Sequence, residues 1–289
     1  MHKPRTVEAP AELLAYLFSA WPEVKKKQVR TWLKYQSVMV NGRVVTQFNH
    51  PLKRGDVVAI RQDRHAAPDT TLPLGIKVLH EDADILIIEK PANLLTVASE
   101  AEQEKTAYFL ITAYLRGRNA RNHDRIWIVH RLDRETSGVM VFAKTEEAKR
   151  TLQANWDAFE KRYQAVAEGD LPTEKGTFRS YLDETNPFKV YSVPRGENTR
   201  HAVTHYRVLK SAKGRCLVEL TLETGRRHQI RVHLADAGCP IVGDEKYNAK
   251  TDPAKRLALH ACFLRIVHPA TGKELRFESS LPRELARLV

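Results

Sequence analysis

The chain is poor in residues that build covalent or metal-held frameworks. Its 289 residues include only 3 cysteines, Cys216, Cys239 and Cys262. They are odd in number and show no C-x-x-C spacing, so buried free thiols are expected rather than a disulfide scaffold or a zinc site. His228 and His233 sit five apart, off a common helical face, and do not form an H-E-x-x-H pair. No metal is expected. Long apolar runs are also missing. Nothing approaches the roughly 20 residues of a membrane span, and the opening M-H-K-P-R-T-V-E-A-P lacks the apolar core of a signal peptide. A soluble, cytoplasmic protein with no membrane partner is therefore expected. Acidic residues are the other shortage: 47 Lys+Arg against 35 Asp+Glu give a net charge of +12. Such a balance points to a polyanion, nucleic acid first and an acidic membrane surface second.

The charge is uneven. Residues 1–65 hold 12 Lys+Arg and 5 Asp+Glu, so they carry +7 of the +12. Two helices, Pro10–Ala20 and Glu23–Gln36, are predicted around Trp21-Pro22, with Pro10 suited to a first helical position. A hairpin follows, with Asn41-Gly42 between Val38-Met39-Val40 and Val44-Val45, then a strand at Val57–Ile60. Lys26, Arg30 and Lys34 recur at i, i+4 and i+8 and share one face of the second helix. That face reads equally as a solvated surface or as an RNA contact.

Pro68, Pro73 and Gly75 mark residues 66–75 as a linker, and a large domain is expected over 76–289. Its focus is Ile126–Lys144. Two short apolar runs, Ile126–Val129 and Val139–Ala143, read as buried strands around a polar loop that holds His130, Arg131, Asp133, Arg134, Glu135, Thr136 and Ser137. The bland reading is that Asp133 pins a turn. So many charges between buried strands favour a functional loop instead. Glu146–Phe159 reads as a helix, and Lys161–Val166 as a strand on which Tyr163 is ordinarily a core aromatic. In T-G-R-R-H-Q-I-R-V-H-L, residues 224–234, a helix over 228–237 is predicted, stopped by Gly238 and Pro240. Its first turn and Arg231 suit a carboxylate or a phosphate.

H-R-L-D-x-x-T-S-G, carried by His130–Asp133 and Thr136–Gly138, resembles the signature of the RluA-type pseudouridine synthases. Lys90-Pro91-Ala92, Thr224–Leu234 with Pro240–Asp244, and Leu259-His260-Ala261 with His268–Gly272 resemble further motifs of that family. The order helix, helix, hairpin before residue 65 resembles the S4 RNA-binding domain. The resemblance implies an α+β catalytic domain, a mixed, mostly antiparallel sheet with a central cleft, preceded by a small S4-like α/β domain. It implies an isomerase that turns uridine in RNA into pseudouridine without a cofactor, with ribosomal RNA favoured over transfer RNA and a monomeric protein. Asp133 becomes the nucleophile or base, Tyr163 the ring that stacks on the target uracil, and Arg231 the group that neutralises and orients Asp133. Arg131 becomes a plug or phosphate contact, joined in RNA binding by Lys26, Arg30 and Lys34. Glu135 is close by but is not a signature position. A non-catalytic RNA-binding protein and a glycosidase-like hydrolase are the competing readings; the three intact site residues oppose the first, and the lack of a second motif carboxylate opposes the second.

Overall fold

The computed structural model describes residues 4–24, 26–34, 37–60, 70–118 and 125–289. The chain divides into two units, residues 1–66 and 67–289, each with its own core.

In the first unit, short strands β1 (Arg5–Thr6) and β2 (Ala11–Glu12) precede helices α1 (Leu13–Ala20) and α2 (Lys26–Lys34). Strands β3 (Val38–Val40), β4 (Arg43–Val44), β5 (Pro51–Leu52) and β6 (Val57–Ile60) follow, and one sheet runs β1-β6-β3-β4. Helix α1 starts later than predicted. Ala11 and Glu12 pair with Leu52 and Pro51, so the first turn that Pro10 could have opened is extended backbone instead. The hairpin forms as expected, with Asn41 and Gly42 both at positive φ. On α2, Val29, Trp32 and Leu33 are buried against Leu13, Leu17 and Trp21. Lys26 and Arg30 are exposed and lie 5.7 and 5.6 Å from the Phe18 ring. The side chain of Lys34 lies outside the described ones.

The second unit is built on a 12-stranded sheet. Its strands are β7 (Thr70–Thr71), β8 (Lys77–Glu81), β9 (Ile85–Lys90), β10 (Trp127–Ile128), β11 (Ser137–Ala143), β12 (Glu160–Glu168), β13 (Lys175–Asp183), β14 (Tyr191–Val193), β15 (Thr199–Ala212), β16 (Arg215–Leu222), β17 (Leu259–Val267) and β18 (Glu274–Glu278). The helices are α3 (Ala107–Arg118), α4 (Glu146–Ala154), α5 (Gln229–Asp236) and α6 (Arg283–Ala286). The order is β14-β13-β15-β16-β12-β17-β11-β9-β8-β7, with β10 on β11 and β18 on β17. Among these pairs only β11 with β17 is parallel. The expected mixed, mostly antiparallel α+β architecture is the one observed.

The apolar run Val139–Ala143 has no polar alternation because both of its faces are covered. Met140 and Phe142 pack with Leu86 and Ile88 against α3, whereas Val139 and Val141 pack with Ile85 and Ile87 against Ala148 and Leu152 of α4. Residues 70–75 are not a free linker: β7 pairs with β8, Leu72 and Ile76 are buried, and the Leu72 N–H donates to the Ile76 carbonyl at 2.7 Å. Residues 61–69 lie outside the described ones. Helix α4 ends before Phe159, because Asn155 turns its amide back to the Thr151 carbonyl at 2.8 Å and Trp156–Ala158 form a separate 3-10 turn.

Gly138, the last residue of the signature loop, lies in β11 opposite Ala261 at φ +123°. A Cβ there would overlap the Ala261 backbone. Gly138→Ala is therefore expected to cost well over ~1 kcal/mol, since strain at an incompatible φ adds to the overlap. Urea unfolding checks this. An unchanged midpoint would mean that the two strands do not approach so closely.

Candidate active site

β10 and β11 pair antiparallel, Trp127 with Ala143 and Ile128 with Phe142, and so hold the two ends of the loop 129–136. Buried polar groups fix the loop between them. His130 stacks on Trp156 with ring centroids 4.2 Å apart, and its Nε2 accepts the Val141 N–H at 3.2 Å. Burial, with Lys161 as a lesser cause, pushes the His130 pKa down to about 3, so this imidazole is neutral and structural. Thr96 Oγ1 donates to the Leu132 carbonyl at 2.8 Å and accepts its N–H at 3.2 Å. The fully buried Lys90 ammonium donates to the carbonyls of Pro91, Leu94 and Arg134 at 3.0, 2.8 and 3.2 Å. Burial lowers the Lys90 pKa to about 7, against the pull of Asp133 and Glu135. On the far side, Arg256 donates to Ser137 Oγ at 2.7 Å, and Ser137 Oγ lies 2.8 Å from His260 Nδ1.

Two further strands place the remaining groups. Ala261 of β17 is paired with Gly138 on one side and with Tyr163 of β12 on the other. β12 carries a bulge between Arg162 and Tyr163, a device that re-aims a side chain. Tyr163 accordingly packs on two cores while lining a cleft of about 220 Å³. Burial, with the nearby Asp133 charge, raises its hydroxyl pKa. Leu222, Ile230 and Leu259 form apolar wall, and Arg131, Asp133, His228 and Arg231 supply the polar groups.

Helix α5 begins one residue later than predicted, at Gln229, because His228 precedes it with left-handed backbone at φ +53°. Arg231 is buried on this helix and directed at Asp133: its Nη1 is 3.5 Å from Asp133 Oδ2 and 3.7 Å from Glu135 Oε2. Arg231 thus lies beside Asp133, but not through its paired donors. The two-pronged face is taken by Asp244, with Nε and Nη2 each 2.7 Å from its carboxylate oxygens, and Nη1 is buried without a hydrogen-bond partner. Burial opposes the Arg231 charge, yet the hydrogen bonds and charge of Asp244 outweigh it and raise the pKa. The Tyr247 ring lies 5.3 Å from the guanidinium.

His228 completes the ring of groups. Its Nδ1 is 2.8 Å from Tyr247 Oη, and its Nε2 is 3.9 Å from Asp133 Oδ2. The Tyr247 hydroxyl donates to the Val190 carbonyl at 3.1 Å, so His228 Nδ1–H is the donor to Oη and Nε2 is left as an acceptor facing Asp133. Burial, then the charge of Arg231, lowers its pKa to about 3. His233 points elsewhere, to Thr204 Oγ1 and Ser180 Oγ at 2.9 and 3.0 Å.

The cleft thus gathers Asp133, Tyr163, Arg231 and Arg131, whereas Lys26 and Arg30 belong to the other unit. Of the basic stretch 116–125, residues 119–124 lie outside the described ones. Sequence reasoning missed Lys90, His228, Asp244 and Tyr247. Lys90 and Asp244 lay inside quoted motifs, and a buried charge inside a motif was the available signal. Next to Asp244, Gly243 lies at φ +81° against the Arg256 backbone, an approach a Cβ would block.

One carboxylate beside a buried guanidinium, below an aromatic wall and an exposed arginine, can hold an extruded base and act on its glycosidic carbon. Residues 84–236 match the family model described as RNA pseudouridylate synthase. An uncharacterized RNA pseudouridine synthase of Bacillus subtilis strain 168, YhcT, is 38% identical over 275 residues, 92% of this chain and 88% of that one. Ribosomal large subunit pseudouridine synthase D of Yersinia pestis is 32% identical over 96% of this chain and 89% of its own. The solved structure of human RNA Pseudouridylate Synthase Domain Containing 4 aligns with a TM-score of 0.62 and 28% identity, covering 73% of this chain and 92% of that one. The signature loop and the helix that faces it both fall within the matched span, and the chain belongs to the RluA-type RNA pseudouridine synthases, isomerases that form pseudouridine in RNA.

Proposed function

We propose that Asp133 carries the isomerisation of uridines in ribosomal RNA, in the cytoplasm. The observation behind this is the Asp133 carboxylate in the cleft, 3.5 Å from a buried Arg231 Nη1 that makes no hydrogen bond and has Glu135 Oε2 at 3.7 Å as its other charged neighbour. In the reaction the N1–C1′ bond breaks, uracil turns, C5 bonds to C1′, and the C5 proton is lost while N1 gains one. Uracil can spread negative charge over two carbonyls, so one carboxylate, acting as nucleophile or base, suffices. Asp244 holds the Arg231 fork, which leaves Nη1 free to orient Asp133. Tyr163 stacks on the extruded uracil, and Arg131, exposed at the cleft, fills the gap it leaves in the RNA or meets a phosphate. Ribosomal RNA is favoured because a relative 32% identical is named for the large ribosomal subunit. The test is to incubate the protein with large-subunit ribosomal RNA and with transfer RNA and to map pseudouridine by carbodiimide labelling. Signal confined to transfer RNA would overturn the ribosomal assignment.

The first unit is read as an S4-like RNA-binding domain whose contacts are Lys26, Arg30 and Lys34. Its support is the exposed basic face that stands over Phe18. Alanine at all three is expected to weaken RNA binding and flatten the slope of log K against log salt by about 0.7 for each lost phosphate contact. Titrations at several salt concentrations measure it. An unchanged slope would return the face to plain solvation.

A further inference from the structure

Phe188 is 78% exposed, the most of any large apolar side chain described. A lone exposed ring is ordinary on a protein surface, but the loop that carries this one is tied down and lies among cations and other rings. Arg227, on the cleft wall, donates through its guanidinium to the carbonyls of Glu184, Asn186 and Pro187, and its N–H donates to Glu184 Oε1 at 2.6 Å. Asn186 Oδ1 accepts the N–H groups of Phe188 and Lys189 at 2.8 and 3.2 Å. Val190 exchanges both backbone hydrogen bonds with the Tyr247 hydroxyl. Arg227 of the cleft wall and Tyr247, which touches His228 of that wall, therefore tie down the turn that carries Phe188.

Cations interleave with aromatics around this tip. Lys189 Nζ lies 5.6 Å from the ring of exposed Tyr191, and Arg195 lies 5.9 Å from the ring of Tyr181. Tyr181 also faces His201, whose carbonyl accepts from the cleft residue Arg226 at 3.2 Å. Alternating rings and cations running out from a cleft suit an unpaired nucleic-acid strand, whose bases stack while its phosphates meet the cations. A folded protein partner would instead ask for a contiguous apolar patch.

We propose that Phe188 is a stacking platform for an unpaired nucleotide of the substrate RNA outside the cleft, with Lys189 and Arg195 taking the neighbouring phosphates. The proposal rests on the RNA-modifying reading of the cleft. Its test uses the full chain with a fluorescein-labelled oligouridylate of about a dozen nucleotides, alone or annealed to oligoadenylate. Phe188→Ala is expected to weaken single-strand binding about tenfold, within the range of one lost base stack. Phe188→Trp should bind as wild type, Phe188→Leu should behave like alanine, and the duplex should bind all variants equally. Wild-type affinity of Phe188→Ala or Phe188→Leu for the single strand would overturn the platform, as would an equal loss on the duplex. Pseudouridine formation by the wild-type protein, measured in parallel, separates the two ideas. Its absence would sink the enzymatic reading, whereas its presence with unaltered Phe188→Ala binding sinks the platform alone.

Discussion

Asp133→Asn is expected to reduce pseudouridine formation by about 10⁴-fold or more, the scale on which enzymes respond to loss of the group that does the chemistry. Asparagine preserves the shape of the loop and its turn hydrogen bond from the Thr136 N–H to the residue 133 carbonyl. It removes the negative charge that nucleophilic or base work requires. RNA affinity should stay near that of wild type, because Arg131, Tyr163 and the basic surfaces are untouched. Single-turnover assays with carbodiimide detection, alongside an RNA-binding titration, provide the measurement. Turnover close to wild type would remove Asp133 from the chemistry.

The second large effect is expected at Asp244, which is fully buried against Arg231. Breaking a buried pair by removing one partner leaves a desolvated charge and costs ~3–5 kcal/mol. Asp244→Asn should therefore lower stability by about that much in urea unfolding and should slow turnover, since Arg231 would swing from its fork toward Asp133 and Glu135. Arg231→Lys keeps the charge but cannot make the paired hydrogen bonds, so it should resemble Asp244→Asn. A double replacement, Arg231→Met with Asp244→Leu, divides stability from function. Two apolar groups of similar volume should recover much of the lost stability, yet the enzyme should remain slow because nothing orients Asp133. Recovery of full turnover in the double variant would show that the pair only supports the fold.

Much of this site was legible in the chain. The density of charge between two apolar runs located the Asp133 loop, but Arg231 was set beside it only by the family resemblance, not by the pattern of the helix that carries it. What escaped was non-local. Asp244 follows Arg231 after a helix, a turn and a glycine that no periodicity describes, so although it stood inside a quoted motif its pairing with Arg231 was not legible, and Arg231 was read as the partner of Asp133 alone. The bulge that points Tyr163 into the cleft likewise depends on strand partners at Leu220 and Ala261, far away in sequence. Local rules failed where tertiary contacts won: Pro10 promised a helix start, but pairing with β5 drew Ala11–Glu12 into a strand. Pro73 and Gly75 read as a linker, yet Leu72 and Ile76 on either side are buried. Phe188 gave no sequence signal because exposure is not a property of composition.

β17 lies between β11 and β12 and follows both in the chain. Without it the remaining strands fall into two sheets, one holding the Asp133 loop and the other Tyr163. Ala261 then pairs with Gly138 and Tyr163 at once, closing contacts across more than a third of the chain. Such long-range closure is slow relative to hairpin formation. The carboxylate loop and the aromatic wall are thus joined through a single strand that follows both in the chain, so the cleft and the sheet are completed together.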